Sequence, residues 1–229
     1  MNYFAHAIRH LDKPHFLAGL ALPDLISVVD RKVRLRARRI EPMRGELQTR
    51  EREIADGVLQ HLEDDRWFHG TPAFFRVTGK LAQEFRELLG PDENWQCGFL
   101  GHVVCELLLD AELANRAPGR LEEYYQLMEL WSPTQIEALV NQLAEKSTTR
   151  LAEFIPLFIR ERFLFDYVED EPLLRRLNQV MKRVQLPALP CETVTVLQSG
   201  RTTVRQELPQ LLPPEHFPEL SELVTMTSR

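Results

Sequence analysis

Six of the seven histidines in the chain, His6, His10, His15, His61, His69 and His102, lie within its first 102 residues. The stretch "GVLQHLEDDRWFHG" at 57–70 sets His61 four residues ahead of Asp65, with His69 beyond them. A helix turns by about 100° per residue, so residues four apart differ by about 40° and project together. An imidazole and a carboxylate at that spacing are able to bind one cation. His69 stands about 80° from His61 if the helix runs on, though Gly70 argues for its end. A second stretch, "GFLGHVVCELLLDAEL" at 98–113, repeats the pattern with His102, Glu106 and Asp110. Its neighbours Val103, Val104, Leu107, Leu108 and Leu109 mark a helix that is buried, where a carboxylate without a partner is costly. A cation between helices satisfies such groups together.

The elements that must position these residues read as helices. In "SPTQIEALVNQLAEK", Ile136, Leu139, Val140 and Leu143 follow helical spacing, with Ser132, Pro133 and Gln135 as cap, first-turn proline and capping-box partner. Thr71 and Pro72 open a helix that Gly90 and Pro91 end, and Asp170 and Pro172 open another. Periodicity predicts helices near 3–11, 14–29, 48–67, 71–89, 93–116, 119–131, 133–145, 147–168, 170–184 and 192–211. "CETVTVL" at 191–197 is the one strand-like alternation. Gly98 and Gly101 are expected to admit a neighbouring helix before His102. The expectation is an all-α, single-domain multi-helix bundle over 1–215, with a tail from 216 to 229 in which His216 is solvated.

Other residues carry two readings. Asp24 follows Pro23 in "AGLALPDLIS", as either a cap or a ligand. His6 and His10 stand four apart on a short first helix. Cys105, beside Glu106, reads as small core filler. "RKVRLRARRI" carries Arg31, Lys32, Arg34, Arg36, Arg38 and Arg39. It is either a solvated face or a docking patch for an anionic partner.

Bulk properties bound the function. With 229 residues and 44% hydrophobic content, the chain is long enough to bury a sizeable core. A net charge of −6 argues against a dedicated DNA binder. Three cysteines make no disulfide framework, no apolar run has the length of a membrane helix, and the start lacks the apolar core of a signal peptide. A cytoplasmic protein is expected.

Four stretches together, "MNYFAHAI", "LAGLALPDL", "GVLQHLEDD" and "GFLGHVVCELLLD", resemble the acyl carrier protein phosphodiesterases in order and spacing over about the first 115 residues. Later segments resemble that family's last helices more loosely. Its members are all-α proteins related to the HD-type metal phosphohydrolases, and they cleave phosphopantetheine from a carrier-protein serine. The resemblance implies an HD-phosphohydrolase-like bundle with Asp24, His61 and Asp65 as metal-site residues and His6 close by. In the third motif, His102 and Glu106 take places that are aspartates in the family, and Leu62 stands where a basic residue is expected. "GFLGHVVCELLLDAEL" is also similar to a motif of the zinc-dependent phospholipases C.

The expectation is therefore a metal-dependent phosphodiesterase. One or two divalent cations (Mn, Fe or Zn) are held by Asp24, His61, Asp65 and His102, with His6, His69, Glu106 and Asp110 as further ligand candidates. Asp65 and Glu106 are the catalytic candidates, with Asp64 an alternative base. Arg31 to Arg39 receive phosphate or an acidic acyl carrier protein. A hydrolase of another phosphoester, or a helical binding module without catalysis, stand as alternatives.

Overall fold

The computed structural model describes residues 1–90 and 94–218, with the backbone alone for 94 and 95. Every regular element among the described residues is helical. The chain divides into two compact units, each drawn from segments distant in sequence. No shift in composition marks that division.

The first unit comprises Tyr3–Arg66 and Gly119–Arg162. It contains α1 (Tyr3–Ala7), α2 (Pro14–Val29), α3 (Ala37–Met43) with a 3-10 turn at Arg44–Glu46, and most of α4 (Thr49–Phe68). From its second segment come α7 (Pro118–Met128), α8 (Pro133–Leu143) and α9 (Leu151–Glu161). All five residues of α1 are buried. Tyr3 packs on Phe158 with ring centroids 4.8 Å apart, and Phe4 meets Tyr124 edge-on. Each aromatic ring so buried contributes about 1.5–3 kcal/mol, which anchors a helix too short to hold itself. α2 and α4 cross backbone to backbone. A Cβ on Gly57 would lie 2.1 Å from the Phe16 carbonyl oxygen, and one on Gly19 would lie 2.0 Å from that of Ile54. Only glycine fits at either point.

Three sequence expectations change in this unit. The helices expected from periodicity leave out 30–47, but the basic segment there alternates Val33 and Leu35 inward and then forms α3 with Ile40 buried. Its Arg39 Nε donates to the Leu143 carbonyl at 2.8 Å, satisfying one of the open carbonyls that end α8. Ser132 precedes α8 as expected, but its side chain makes no capping hydrogen bond. The capping carboxylate of this region is Glu137, which accepts from the first backbone N–H groups of α9, Leu151 and Ala152, at 2.9 Å each. The helix expected over 147–168 breaks at Arg162, whose φ of 46° is left-handed. Arg162 is held there by an ion pair with Glu122 and by stacking over Tyr125 at 5.2 Å.

The second unit comprises Met1–Asn2, Trp67–Pro118 and Phe163–Arg229. It holds α5 (Pro72–Leu89), α6 (Asn94–Arg116), a 3-10 segment at Phe163–Val168, α10 (Asp170–Arg183) and α11 (Thr193–Leu211). Thr71 caps α5 by accepting from Phe74 N at 3.2 Å, and Gly90 ends it at φ 101°, both where the sequence places them. Of the two glycines expected to admit a helix, Gly101 does so. A Cβ there would lie 2.5 Å from the Thr78 carbonyl oxygen, whereas Gly98 faces open space. The strand-like "CETVTVL" enters α11, because Thr193, Val196, Leu197, Gly200 and Val204 bury at helical spacing. Polar contacts join α11 to α5, including Lys80 to Thr203 at 2.7 Å and Ser199 to Glu84 at 2.8 Å. Packing continues past the expected start of the tail: Phe217 is buried, and exposed His216 stacks on Trp67 at 4.5 Å. The rest of the tail, 219–229, lies outside the described residues. No helix among the described residues is long and apolar enough to cross a membrane.

Candidate metal centres

Two groups of two imidazoles and one carboxylate converge, one within each unit: His6, His61 and Asp65, and His69, His102 and Glu106. The first group is assembled by α1 and α4. His61 and Asp65 share a face of α4 as their spacing requires, and His6 arrives from the buried first helix. The His6 and His61 rings stack with centroids 3.9 Å apart at an interplanar angle of 22°.

Hydrogen bonds decide which ring nitrogen of each histidine faces Asp65. His61 Nδ1 lies 2.8 Å from the Leu20 carbonyl oxygen, which only accepts, so Nδ1 carries the proton and Nε2 presents its lone pair. That carbonyl belongs to α2 at the level of the glycine crossing. His6 Nδ1 lies 3.3 Å from Asp64 Oδ2, and a carboxylate also only accepts, so Nδ1 carries a proton and the neutral ring presents a bare Nε2. Asp64 is fixed in turn by Gln60 at 2.9 Å and by Arg9 at 3.3 Å to both oxygens. Burial pushes its carboxyl up, but the hydrogen bond and charge of His6, with Arg9, outweigh it and hold Asp64 below the usual range.

The two Nε2 atoms face different oxygens of Asp65, His6 at 3.4 Å and His61 at 3.5 Å. Bonds of about 2.0–2.1 Å to a tetrahedral cation place ligand atoms about 3.3–3.4 Å apart, so the spacing suits a cation among them. His6 Nε2 is fully buried and makes no hydrogen bond among the described residues. Two lone pairs facing a carboxylate need a positive charge between them, either a proton or a metal ion. Burial pushes the Asp65 carboxyl up, and the facing imidazoles overcome that to hold it far below the usual range. Asp65 is 33% exposed while His6 and His61 are sealed at 0% and 2%, so solvent reaches the group on the carboxylate side.

The second group is organised around one atom. Glu106 Oε1 lies 2.8 Å from His69 Nε2, 3.3 Å from His102 Nε2 and 3.2 Å from the Met1 amino nitrogen. His102 and Glu106 share a face of α6, and His69 comes from the turn that follows α4. Phe74 packs against both rings, at 4.9 Å from His69 and 5.1 Å from His102. Burial pushes Glu106 up, but the amino group and then the two histidines hold it below the usual range.

The remaining candidates fall elsewhere. Asp24 lies inside α2, half-buried and outside both groups, so it is neither the cap nor the turn that Pro23 suggested. Asp110 is buried and accepts from Asn2 Nδ2 at 3.0 Å. Cys105 is buried, and burial pushes its thiol up, which fits core filler rather than a thiolate ligand. Arg31, Lys32, Arg34, Arg36 and Arg38 are exposed, whereas Arg39 also braces α8. Arg36 and Arg38 each come within 3.9 Å of Glu145. His10, half-buried against Phe16, has an Nε2 with no hydrogen bond among the described residues.

Sequence reasoning named Asp64 only as an alternative base, and passed over Arg9 and Gln60 as its braces. The available signal was spacing: Gln60 and Asp64 stand four apart, and His6 and Arg9 three apart. Comparison of the chain with family models, curated proteins and solved structures gave no match.

Proposed function

We propose that the chain is a divalent-metal-dependent phosphoester hydrolase whose cation is held by His6 Nε2, His61 Nε2 and the Asp65 carboxylate. The observation that carries the reading is the convergence of two bare imidazole nitrogens on one carboxylate at 3.4 and 3.5 Å, with the His6 nitrogen buried and otherwise unbonded. A mixed nitrogen and oxygen set favours Mn, Fe or Zn over Ca. When bound, such an ion supplies Lewis acidity toward phosphoryl oxygens and lowers the pKa of a water it holds.

The residues around it divide the work. Leu20 and Asp64 hold the two imidazoles in one tautomer, so their Nε2 atoms would meet the cation already oriented. Asp65 is the ligand that solvent reaches, and it orients a water on the open side. Asp64 is no general base, because its oxygens are committed to His6, Gln60 and Arg9 in a buried setting. Glu106 is committed in the same way to three nitrogens. The resemblance to acyl carrier protein phosphodiesterases makes a phosphodiester the first substrate class to try, with phosphopantetheinylated carrier protein as its specific member. The exposed arginines of 31–38 suit an acidic protein or a phosphate. Leu62, in place of a basic residue, favours trying other phosphodiesters alongside.

The test is turnover of bis(p-nitrophenyl) phosphate and of phosphopantetheinylated carrier protein by metal-depleted enzyme reloaded with Mn, Fe or Zn. Activity that returns with metal and falls at least a hundredfold in His61→Ala is expected. Failure of every metal to restore hydrolysis of either substrate would overturn the reading.

A further inference from the structure

The second group differs from the first in exposure and in bracing, and it stands without reference to any hydrolase activity. We propose that His69 Nε2, His102 Nε2 and Glu106 Oε1 form a second divalent-cation site, one that exchanges its ion faster than the group of His6, His61 and Asp65. Two observations carry this, the convergence of the ligand atoms and their exposure. The two imidazoles and the carboxylate approach within one coordination sphere, Glu106 meeting His69 at 2.8 Å and His102 at 3.3 Å. Nitrogen and oxygen atoms about 2.0–2.2 Å from a zinc-like ion separate by about 3.0–3.5 Å, so a small movement that draws the Met1 amino group off Glu106 Oε1 admits one. The set is reachable, since His69 is 33% exposed and His102 46% exposed, against 0% and 2% for the imidazoles of the first group.

Bracing explains the faster exchange. Each imidazole of the first group is locked through its Nδ1, by Leu20 or by Asp64. Neither His69 nor His102 has an Nδ1 hydrogen bond among the described residues, and beyond Glu106 the rings are held by packing on Phe74 and on each other, with Phe68 also against His69. Outer hydrogen bonds of that kind are commonly worth 10- to 100-fold in metal affinity. Two imidazoles and one carboxylate leave positions for water, and this ligand chemistry suits Zn or another late first-row ion. The cation ties the turn after α4, through His69, to α6, through His102 and Glu106, and so staples the second unit.

Equilibrium dialysis of the full chain against Zn2+, with Co2+ absorption as a second readout, tests this without substrate. Wild type should bind two ions, His61→Ala and His102→Ala one each, and the double variant none. A competing chelator should strip the ion retained by His61→Ala at least tenfold faster than the one retained by His102→Ala. Glu106→Gln, checked by circular dichroism, serves if His102→Ala fails to fold, and it too should bind one ion. A wild-type stoichiometry of one, or full loss of metal in both single variants, overturns the second site. The stoichiometry stands apart from catalysis, so an inactive protein that binds two ions sinks the hydrolase reading alone.

Discussion

In the first unit the imidazoles are fixed and the carboxylate faces solvent; in the second the carboxylate is the fixed point and the imidazoles are open. His6 and His61 each give one nitrogen to a buried acceptor and keep the other bare, which is how metal-ligating histidines are usually prepared. Glu106 instead gathers three nitrogens on a single oxygen, an arrangement that is satisfied as an ion-pair cluster and still has the composition of a ligand set. The same two-imidazole, one-carboxylate inventory thus yields a preorganised group and an adaptable one. What separates them is the shell around the ligands rather than the ligands themselves.

The comparison breaks most sharply at the helix crossings. Gly57→Ala should destabilise the chain by about 3 kcal/mol, because the added carbon meets the backbone of α2 rather than a yielding side chain. Gly98→Ala, which meets nothing within 4 Å inside α6, should raise stability by about 0.7 kcal/mol. Urea unfolding followed by circular dichroism measures both, and equal effects would show that the close approach of α2 and α4 does not matter.

A subtler cut goes through the bracing. Asp64→Asn should weaken metal uptake at the first group by about 10- to 100-fold while leaving uptake at the second unchanged. In 15N spectra, His6 of the metal-free protein should lose its preference for a protonated Nδ1. If that tautomer survives the substitution, Asp64 is not what sets it.

A further expected effect concerns His10, which belongs to neither group. Burial first, and then the charge of Arg9, push its pKa down to about 4 from an ordinary 6.5. The unfolded chain therefore binds this proton first as the pH falls. The stability contributed by neutral His10 is whole above about 6.5 and drains away down to about 4. Allowing for solvent screening of a half-buried ring, the loss is about 1.5 kcal/mol. His10→Phe should flatten that part of the stability profile relative to wild type, and identical slopes would refute the assignment.

Much of the helical framework was legible in the chain. Thr71-Pro72 and Gly90 bound α5 because capping and left-handed backbone are local chemistry. The misread segments are those where distant contacts win. "CETVTVL" alternates like a strand, yet the apolar face it shares with Val204 draws it into α11. The helix predicted through 168 ends at Arg162 because Glu122 and Tyr125, far away in the chain, hold that residue left-handed. The site followed the same rule. His61 with Asp65 and His102 with Glu106 were visible as pairs, since a four-residue step on a helix needs no tertiary information. The partners that complete them, His6 and His69, stood among the additional candidates and became specific only with the fold.

Taken alone, the amino-acid order determined that this chain is helical, and which imidazole and which acid share a helix face, because both follow from the 3.6-residue turn. Tertiary structure decided which third ligand joins each pair, which ring nitrogen is bare, and that Asp64 braces rather than reacts. Those outcomes depend on backbone approaches such as Gly19 against Gly57 and on acceptors such as the Leu20 carbonyl, and no local spacing encodes a contact between residues 41 positions apart.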